Sequence, residues 1–236
     1  VNDKCARRHK YSWPRVGVDD RSMADQPLTK VLIADGYPII GITVARQLLS
    51  VLDESKFLVD TVIDSDGLLQ SSESFPCDYL IVDFRTLGKL NGMTLLRAIL
   101  ETRPQLRILL FTEDSHPCIA LAALELGVRA FVLKSSDVSE LIKAMVEVLQ
   151  GNTYVDRSMD VLSARKHPWY RLTASERDVM LALARGERLP FIAWHRHRSY
   201  KTITAHKYHA LYKLGLKSKD EIGRYLEACG LDYLYK

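Results

Sequence analysis

The chain has 236 residues, 47% apolar and 26% charged, with a formal net charge of +4. Such a composition supports real hydrophobic cores, and the length leaves room for two modest domains rather than one. No apolar run reaches the roughly 18 residues that cross a bilayer, so no membrane partner is expected.

Residues 1–29 read as a flexible leader, because Pro14, Gly17, Asp19, Asp20 and Pro27 interrupt any periodicity. Val1 to Ser22 carries Arg7, Arg8, Lys10 and Trp13 without the apolar segment of a secretory signal. Met23-Ala24 offers a translation start, and the leader is given no function. The four cysteines, Cys5, Cys77, Cys118 and Cys229, show no CxxC or metal-like spacing. Free thiols in a reducing cytoplasm are the expectation.

Residues 30–151 alternate strand and helix. Val31 to Ala34, Leu58 to Ile63, Tyr79 to Val82, Ile108 to Phe111 and Phe131 to Leu133 are the apolar runs of buried strands. Between them, Ile39, Ile40, Val44, Leu48 and Leu49 form one helical stripe. Leu95, Leu96, Ile99 and Leu100 form another. Ile119 to Leu126 follows, stopped by Gly127, and Ser139 to Leu149 is closed by Gly151. Five strands with crossover helices predict a flavodoxin-like, doubly wound parallel sheet of order 2-1-3-4-5.

In such a sheet, chemistry gathers at the carboxyl ends of the strands. Those ends are Asp35, Asp83, Thr112 and Lys134. Two carboxylates, a hydroxyl and an ammonium at one edge suit the transfer of a phosphoryl group to Asp83, which would give an aspartyl phosphate.

Residues 152–171 read as a polar connector with Pro168, mobile or partly helical. From Leu172 to Lys236 only helices are expected. Thr173 and Glu176 have capping-box spacing ahead of Val179, Met180, Leu181 and Leu183. Pro190 opens a short second helix, His197-Arg198-Ser199 is a turn, and a third helix runs from about Lys201 to Leu214. Ile222, Tyr225 and Leu226 mark a fourth. Between Arg185 and Lys219 the only acid is Glu187, against nine lysines and arginines. That asymmetry implies a polyanionic partner. His206 and His209, without a Cys or acid beside them, read as surface residues rather than metal ligands. Trp194 reads as packing rather than base stacking.

The set Asp35, Asp83, Thr112 and Lys134, with Phe131 three residues before the lysine, resembles a response-regulator receiver domain. The resemblance implies that Asp83 is the phosphoacceptor and that Asp35, Thr112 and Lys134 complete its pocket. Phe131 would be the aromatic switch that follows Thr112. It also implies a magnesium ion held by Asp35, Asp83 and the Arg85 carbonyl, a hard cation on oxygen ligands. The phosphoryl group would come from a sensor histidine kinase or a small phosphodonor. Leu172-Thr173-Ala174-Ser175-Glu176-Arg177, Lys201-Thr202-Ile203-Thr204-Ala205-His206 and Lys213-Leu214-Gly215-Leu216 resemble a LuxR-type helix-turn-helix. Together they are similar to the NarL/FixJ class, and Ser199 to Leu216 is most similar to its RcsB-type members. The class implies a cytoplasmic transcription regulator that binds double-stranded DNA as a homodimer. Lys201, Thr202, Thr204, Ala205, Lys207 and Tyr208 would lie on the recognition helix, and Arg196 and Arg198 would contact phosphates. Ile203, Ala210, Leu211 and Leu214 fall at core spacing.

The departures leave a second reading open. Gly36 stands where the family carries a second acid, the Phe84–Gly92 loop is long, and Ser135 replaces a common proline. An atypical receiver with impaired magnesium binding would act without phosphate, alone or paired with another regulator of the class. A flavin protein or enzyme on the same sheet is disfavoured, because Asp35-Gly36-Tyr37-Pro38 is no glycine-rich phosphate loop.

Overall fold

A computed structural model describes residues 28–74 and 76–235. Most of the expected leader, residues 1–27, lies outside the described residues. The chain runs β1 (Thr29–Ala34), α1 (Pro38–Val51), β2 (Phe57–Val62), α2 (Ser65–Ser74), β3 (Tyr79–Val82), α3 (Gly92–Thr102), β4 (Arg107–Thr112), α4 (Pro117–Leu126), β5 (Ala130–Leu133) and α5 (Val138–Leu149). Then come β6 (Tyr154–Val155), α6 (Val161–Lys166), α7 (Ala174–Ala184), α8 (Leu189–His195), α9 (Tyr200–Leu214) and α10 (Ile222–Ala228).

The strands form one parallel sheet of order β2-β1-β3-β4-β5-β6. Alternating side chains feed two cores, as the period of a strand requires. Val31, Ile33, Ile81, Leu109 and Val132 meet α1 and α5 through Val44, Leu48, Leu141 and Val148. Leu32, Leu80, Ile108, Leu110 and Phe131 meet the opposite layer through Leu68, Leu96, Ile99 and Ala123.

The sheet has one strand more than the five expected. After Gly151, at φ +87, Tyr154 and Val155 pair with Ala130 and Phe131. Asp156 then locks the edge: its backbone N–H donates to the Phe131 carbonyl (2.8 Å) and its carboxylate accepts from the Leu133 amide (3.1 Å). The connector is accordingly partly helical, the second of its two expected states, and packed. α6 lies against α4, and Ala164 and Trp169 are buried. Ile39 departs from its expected stripe: in the first turn of α1 it is 70% exposed, while Ile40 beside it packs against the core. Leu58 is also exposed, on an edge strand.

The C-terminal helices share a core of Val179, Met180, Ile192, Ile203, Leu211, Ile222 and Leu226. Cys118 and Leu121 of α4 belong to that core too. The reason is legible in α4 itself, Pro-Cys-Ile-Ala-Leu-Ala-Ala-Leu-Glu-Leu, a helix apolar nearly all round, which must be covered on two sides. Trp194 contradicts its expected packing role: it is 72% exposed, while Ile192 and Ala193 turn inward. No helix among the described residues is long and apolar enough to cross a membrane.

Candidate phosphoacceptor site and DNA-facing helix

Asp35, Asp83 and Lys134 each stand one residue past a strand, yet the ladder still holds them. Asp35 N–H donates to the Val62 carbonyl (3.1 Å), Asp83 N–H to Ala34 (3.0 Å) and Lys134 N–H to Thr112 (2.8 Å). These backbone bonds converge the three side chains. Lys134 Nζ lies 2.7 Å from Asp35 Oδ2 and 2.8 Å from Asp83 Oδ2, with all three side chains under 10% exposed. Burial alone would lower the lysine's pKa, but hydrogen bonds and charge from Asp35 and Asp83 outweigh it and hold the ammonium above its ordinary value. Lys134 is therefore a fixed cation between two carboxylates.

Thr112 is fully buried at the end of β4, and its Oγ1 accepts from the Asp114 amide at 3.3 Å. Phe131 is fully buried in the layer facing α3 and α4. The remaining oxygen of Asp35 accepts from the Tyr37 amide (2.9 Å) and that of Asp83 from the Arg85 amide (3.3 Å). Two carboxylates and a nearby carbonyl are a donor set a hard dication accepts, since magnesium keeps several waters and needs only one or two carboxylates. No group of three His, Cys, Asp or Glu residues that could hold a metal occurs among the described residues. Gly36, beside Asp35, adds no third acid to this set. A Cβ built there would sit 3.7 Å from the Leu87 side chain, ordinary contact, so space does not impose the glycine.

The long loop after Asp83 is anchored rather than free. Thr86 Oγ1 donates to the Asp83 carbonyl (2.7 Å) and Ser65 N–H to the Leu87 carbonyl (2.7 Å). Gly88, at φ +129, lies so close to Ser65 that a Cβ would be 2.1 Å from its hydroxyl oxygen. Sequence reasoning missed two partners. The Arg85 side chain forms a fork on Asp114, Nε and Nη2 each 2.8 Å from a carboxylate oxygen. Asp114 is buried, and no periodic signal marks it.

In the helical unit the capping box at Thr173 and Glu176 is complete. Ser199 caps α9, accepting from the Thr202 amide at 3.0 Å. Lys201, Ala205 and Tyr208 are exposed along α9, with Thr202 and Lys207 half-buried. Lys207 Nζ sits 3.9 Å from the Tyr208 ring centroid. Thr204 differs from its expected role, because its hydroxyl oxygen is buried without a partner among the described residues. Ile203, Ala210, Leu211 and Leu214 are buried as expected. Arg198 is exposed, whereas Arg196 pairs with Asp178 at 3.0 Å. Phe191 and Tyr212 are exposed as well, the Phe191 ring 6.1 Å from that of Trp194, and no spacing signal marked either.

Residues 18–146 match the response regulator receiver domain family, and residues 170–226 match the bacterial regulatory proteins of the luxR family. The transcriptional regulatory protein RcsB of Escherichia coli K12 is 30% identical over 207 residues, 85% of this chain and 95% of the relative. The oxygen regulatory protein NreC of Staphylococcus carnosus is 28% identical over 209 residues, 83% of this chain and 95% of the relative. Among solved structures, RcsB from Salmonella enterica serovar Typhimurium, bound to promoter rprA in the presence of phosphomimetic BeF3-, aligns with a TM-score of 0.60 and 27% identity, covering 85% of this chain and 98% of that one. The geometry of the strand ends and these likenesses agree: the chain belongs to the response regulator family, in the subgroup that joins a receiver domain to a luxR-type helix-turn-helix.

Proposed function

We propose that this protein is a transcription regulator that binds double-stranded DNA as a homodimer and is controlled by phosphorylation of Asp83. The observation that carries the reading is the Lys134 ammonium held between the buried Asp35 and Asp83 carboxylates, beside Thr112. An oxygen of Asp83 attacks phosphorus. The bond from phosphorus to the donor breaks, and the donor, a kinase phosphohistidine or a small acyl phosphate, leaves with the electron pair. Lys134 pairs with the phosphoryl oxygens as a point charge. Thr112 turns its hydroxyl from the Asp114 amide to a phosphoryl oxygen, and Phe131 follows into the space released. Magnesium, held by Asp35, Asp83 and the Arg85 carbonyl, would supply charge neutralisation at those oxygens. In the helical unit, Lys201, Thr202, Ala205, Lys207 and Tyr208 face the major groove, while Arg196 and Arg198 lie toward phosphates. The relative RcsB, solved on promoter DNA with a phosphomimetic, supports both halves. No role as an enzyme acting on a separate substrate is assigned.

Gly36 favours a second reading, in which a receiver short of one magnesium ligand acts without phosphate, as a homodimer or with another regulator of the class. Incubation with magnesium and acetyl phosphate, read by intact mass beside Asp83→Ala, separates the two. One added phosphoryl group that disappears in the variant supports control through Asp83. No addition at high magnesium supports the second reading.

A further inference from the structure

Helix α8 turns Ile192 and Ala193 into the core and its rings outward. Phe191 is 50% and Trp194 72% exposed, and His195 is exposed beside them. Spaced i, i+3 and i+4, the three share one face of the helix. Ring centroids lie 6.1 Å apart for Phe191 and Trp194, and 6.4 Å apart for Trp194 and His195. Phe191 and His195 are 5.8 Å apart, with planes only 6° from parallel. The rings brace one another, so each is held in place before a partner arrives. The core takes nothing from them, and contiguous exposed apolar surface of this kind marks a binding site.

Cations frame the rings. Arg188 stands just before α8 and Arg198 just beyond it, both exposed. His197, at φ +50, bends the chain so that the Arg198 amide donates to the Ala193 carbonyl at 3.0 Å. That turn keeps Arg198 against the end of the helix, and Tyr200, 56% exposed, follows it. The acids close by in sequence are engaged: Glu187 pairs with Arg185 at 2.9 Å and Asp178 with Arg196 at 3.0 Å. The exposed face therefore presents rings between uncompensated positive charges. A polyanion whose units carry flat π faces matches it. Duplex DNA satisfies the charges, but its bases are stacked on one another and would have to leave the stack to meet a ring. An acidic protein segment also satisfies the charges, yet only bases give every ring a flat partner.

We propose that α8 and the turn after it form a second nucleic-acid site, one for single-stranded DNA, in which unpaired bases stack on Phe191, Trp194 and His195 while Arg188 and Arg198 hold phosphates. DNA is the strand in question because the stripe runs on through Tyr200 into α9, and in this respect the proposal rests on the reading of α9 as the DNA-facing helix. The two sites divide by chemistry. Lys201 and Thr202 of α9 offer charge and hydrogen bonds to the groove edges of paired bases. The rings of α8 offer faces, which only bases outside a duplex can use. A regulator carrying both grips a duplex and a strand that has opened beside it.

The test titrates the full chain with a fluorescein-labelled oligothymidylate of about 12 nucleotides, within the span such sites cover, and with a random-sequence duplex of the same length. Anisotropy gives affinity, and quenching of tryptophan fluorescence reports stacking. Wild type should bind the oligothymidylate with quenching. Trp194→Ala should bind it about tenfold more weakly, the loss of one stacked base, and bind the duplex as wild type does. Trp194→Phe, which keeps a ring, should recover most of the affinity and lose the quenching. Arg188→Ala should flatten the slope of log affinity against log salt by about 0.7, while the Trp194 variants leave it unchanged. Equal oligothymidylate affinity in wild type and Trp194→Ala overturns the stacking. Equal losses on duplex and single strand in Trp194→Ala overturn the second site, since one surface would then serve both. Tighter, Trp194-dependent binding of oligouridylate overturns the choice of DNA. Duplex binding without single-strand binding overturns the proposal alone and turns the patch over to an acidic protein partner. Absence of binding to both removes the α9 reading as well.

Discussion

Lys134 illustrates how one residue sets the chemistry of the strand-end edge. Two buried carboxylates that close would repel each other; the ammonium between them, 2.7 Å from Asp35 and 2.8 Å from Asp83, turns repulsion into a paired triad. Removing one member of a buried ion pair leaves uncompensated charge, a loss of about 3–5 kcal/mol. Lys134→Met should therefore lower stability at pH 7 by about 3 kcal/mol in urea denaturation. The pH dependence follows from the sign of the shift. The lysine's folded value is raised above the ordinary 10.5. Its contribution is complete below 10.5 and fades as pH rises through the raised value, so wild type and variant should converge only in the alkaline range. A lasting gap of full size at high alkalinity would mean that packing of the lysine stem, not its charge, is what the variant loses. Gly36 is the opposite case, a missing charge at a position where a Cβ would make only ordinary contact, 3.7 Å from Leu87. Gly36→Asp should restore a third carboxylate and lower the magnesium needed for half-maximal phosphorylation by about tenfold, about 1.4 kcal/mol. An unchanged midpoint by intact mass would mean that position 36 does not reach the metal.

At the scale of elements, Glu176 joins α7 to α9. Its carboxylate accepts from the Thr173 amide at 2.8 Å and from Lys213 Nζ at 2.7 and 2.9 Å, while its side chain is only 5% exposed. Burial raises its pKa, but hydrogen bonds from Lys213 and Thr173 prevail and hold it below the ordinary 4.5. The stabilisation is present above 4.5 and is lost as pH falls through the lowered value. Glu176→Gln should cost about 1–2 kcal/mol at pH 7, discounted because Lys213 reaches solvent, and progressively less at an acid pH below the lowered value. An equal cost at both pH values in urea denaturation would remove the charge from the explanation. This element was legible in advance, because a capping box is a short-range pattern and Thr173 and Glu176 lie three apart. The strand ends were legible for a similar reason: parallel topology forces successive carboxyl ends to one edge, so Asp35, Asp83, Thr112 and Lys134 needed no long-range information. β6 escaped notice because two residues are too few to show alternation. The Arg85–Asp114 fork escaped because its partners lie 29 residues apart in sequence on two loops without period. Trp194 was misjudged because spacing alone cannot say which side of a seven-residue helix is covered when both sides carry large apolar groups.

The whole molecule divides its charge unevenly, and that division bears on how it would meet DNA. The helical unit concentrates lysine and arginine between residues 185 and 219, against a net +4 for the chain. Each phosphate neutralised on B-DNA contributes about −0.9 to the slope of log affinity against log salt. Arg198 and Lys201 are exposed, so each is free to contribute in full. Arg196 is exposed as well but already paired with Asp178 at 3.0 Å, and a phosphate would have to replace that carboxylate. Arg198→Ala should flatten the salt slope by about 0.9 per copy, and Arg196→Ala by less, in anisotropy titrations across several salt concentrations. Lys201 sits in the first turn of α9, where side chains reach base edges as well as phosphates. If Lys201→Ala weakens binding without altering the slope, the lysine reads a base; if the slope flattens by about 0.9 per copy, it holds a phosphate. A slope untouched by all three substitutions would place the DNA surface elsewhere. The basic face would then be a solvated surface, and the α9 assignment would fall with it.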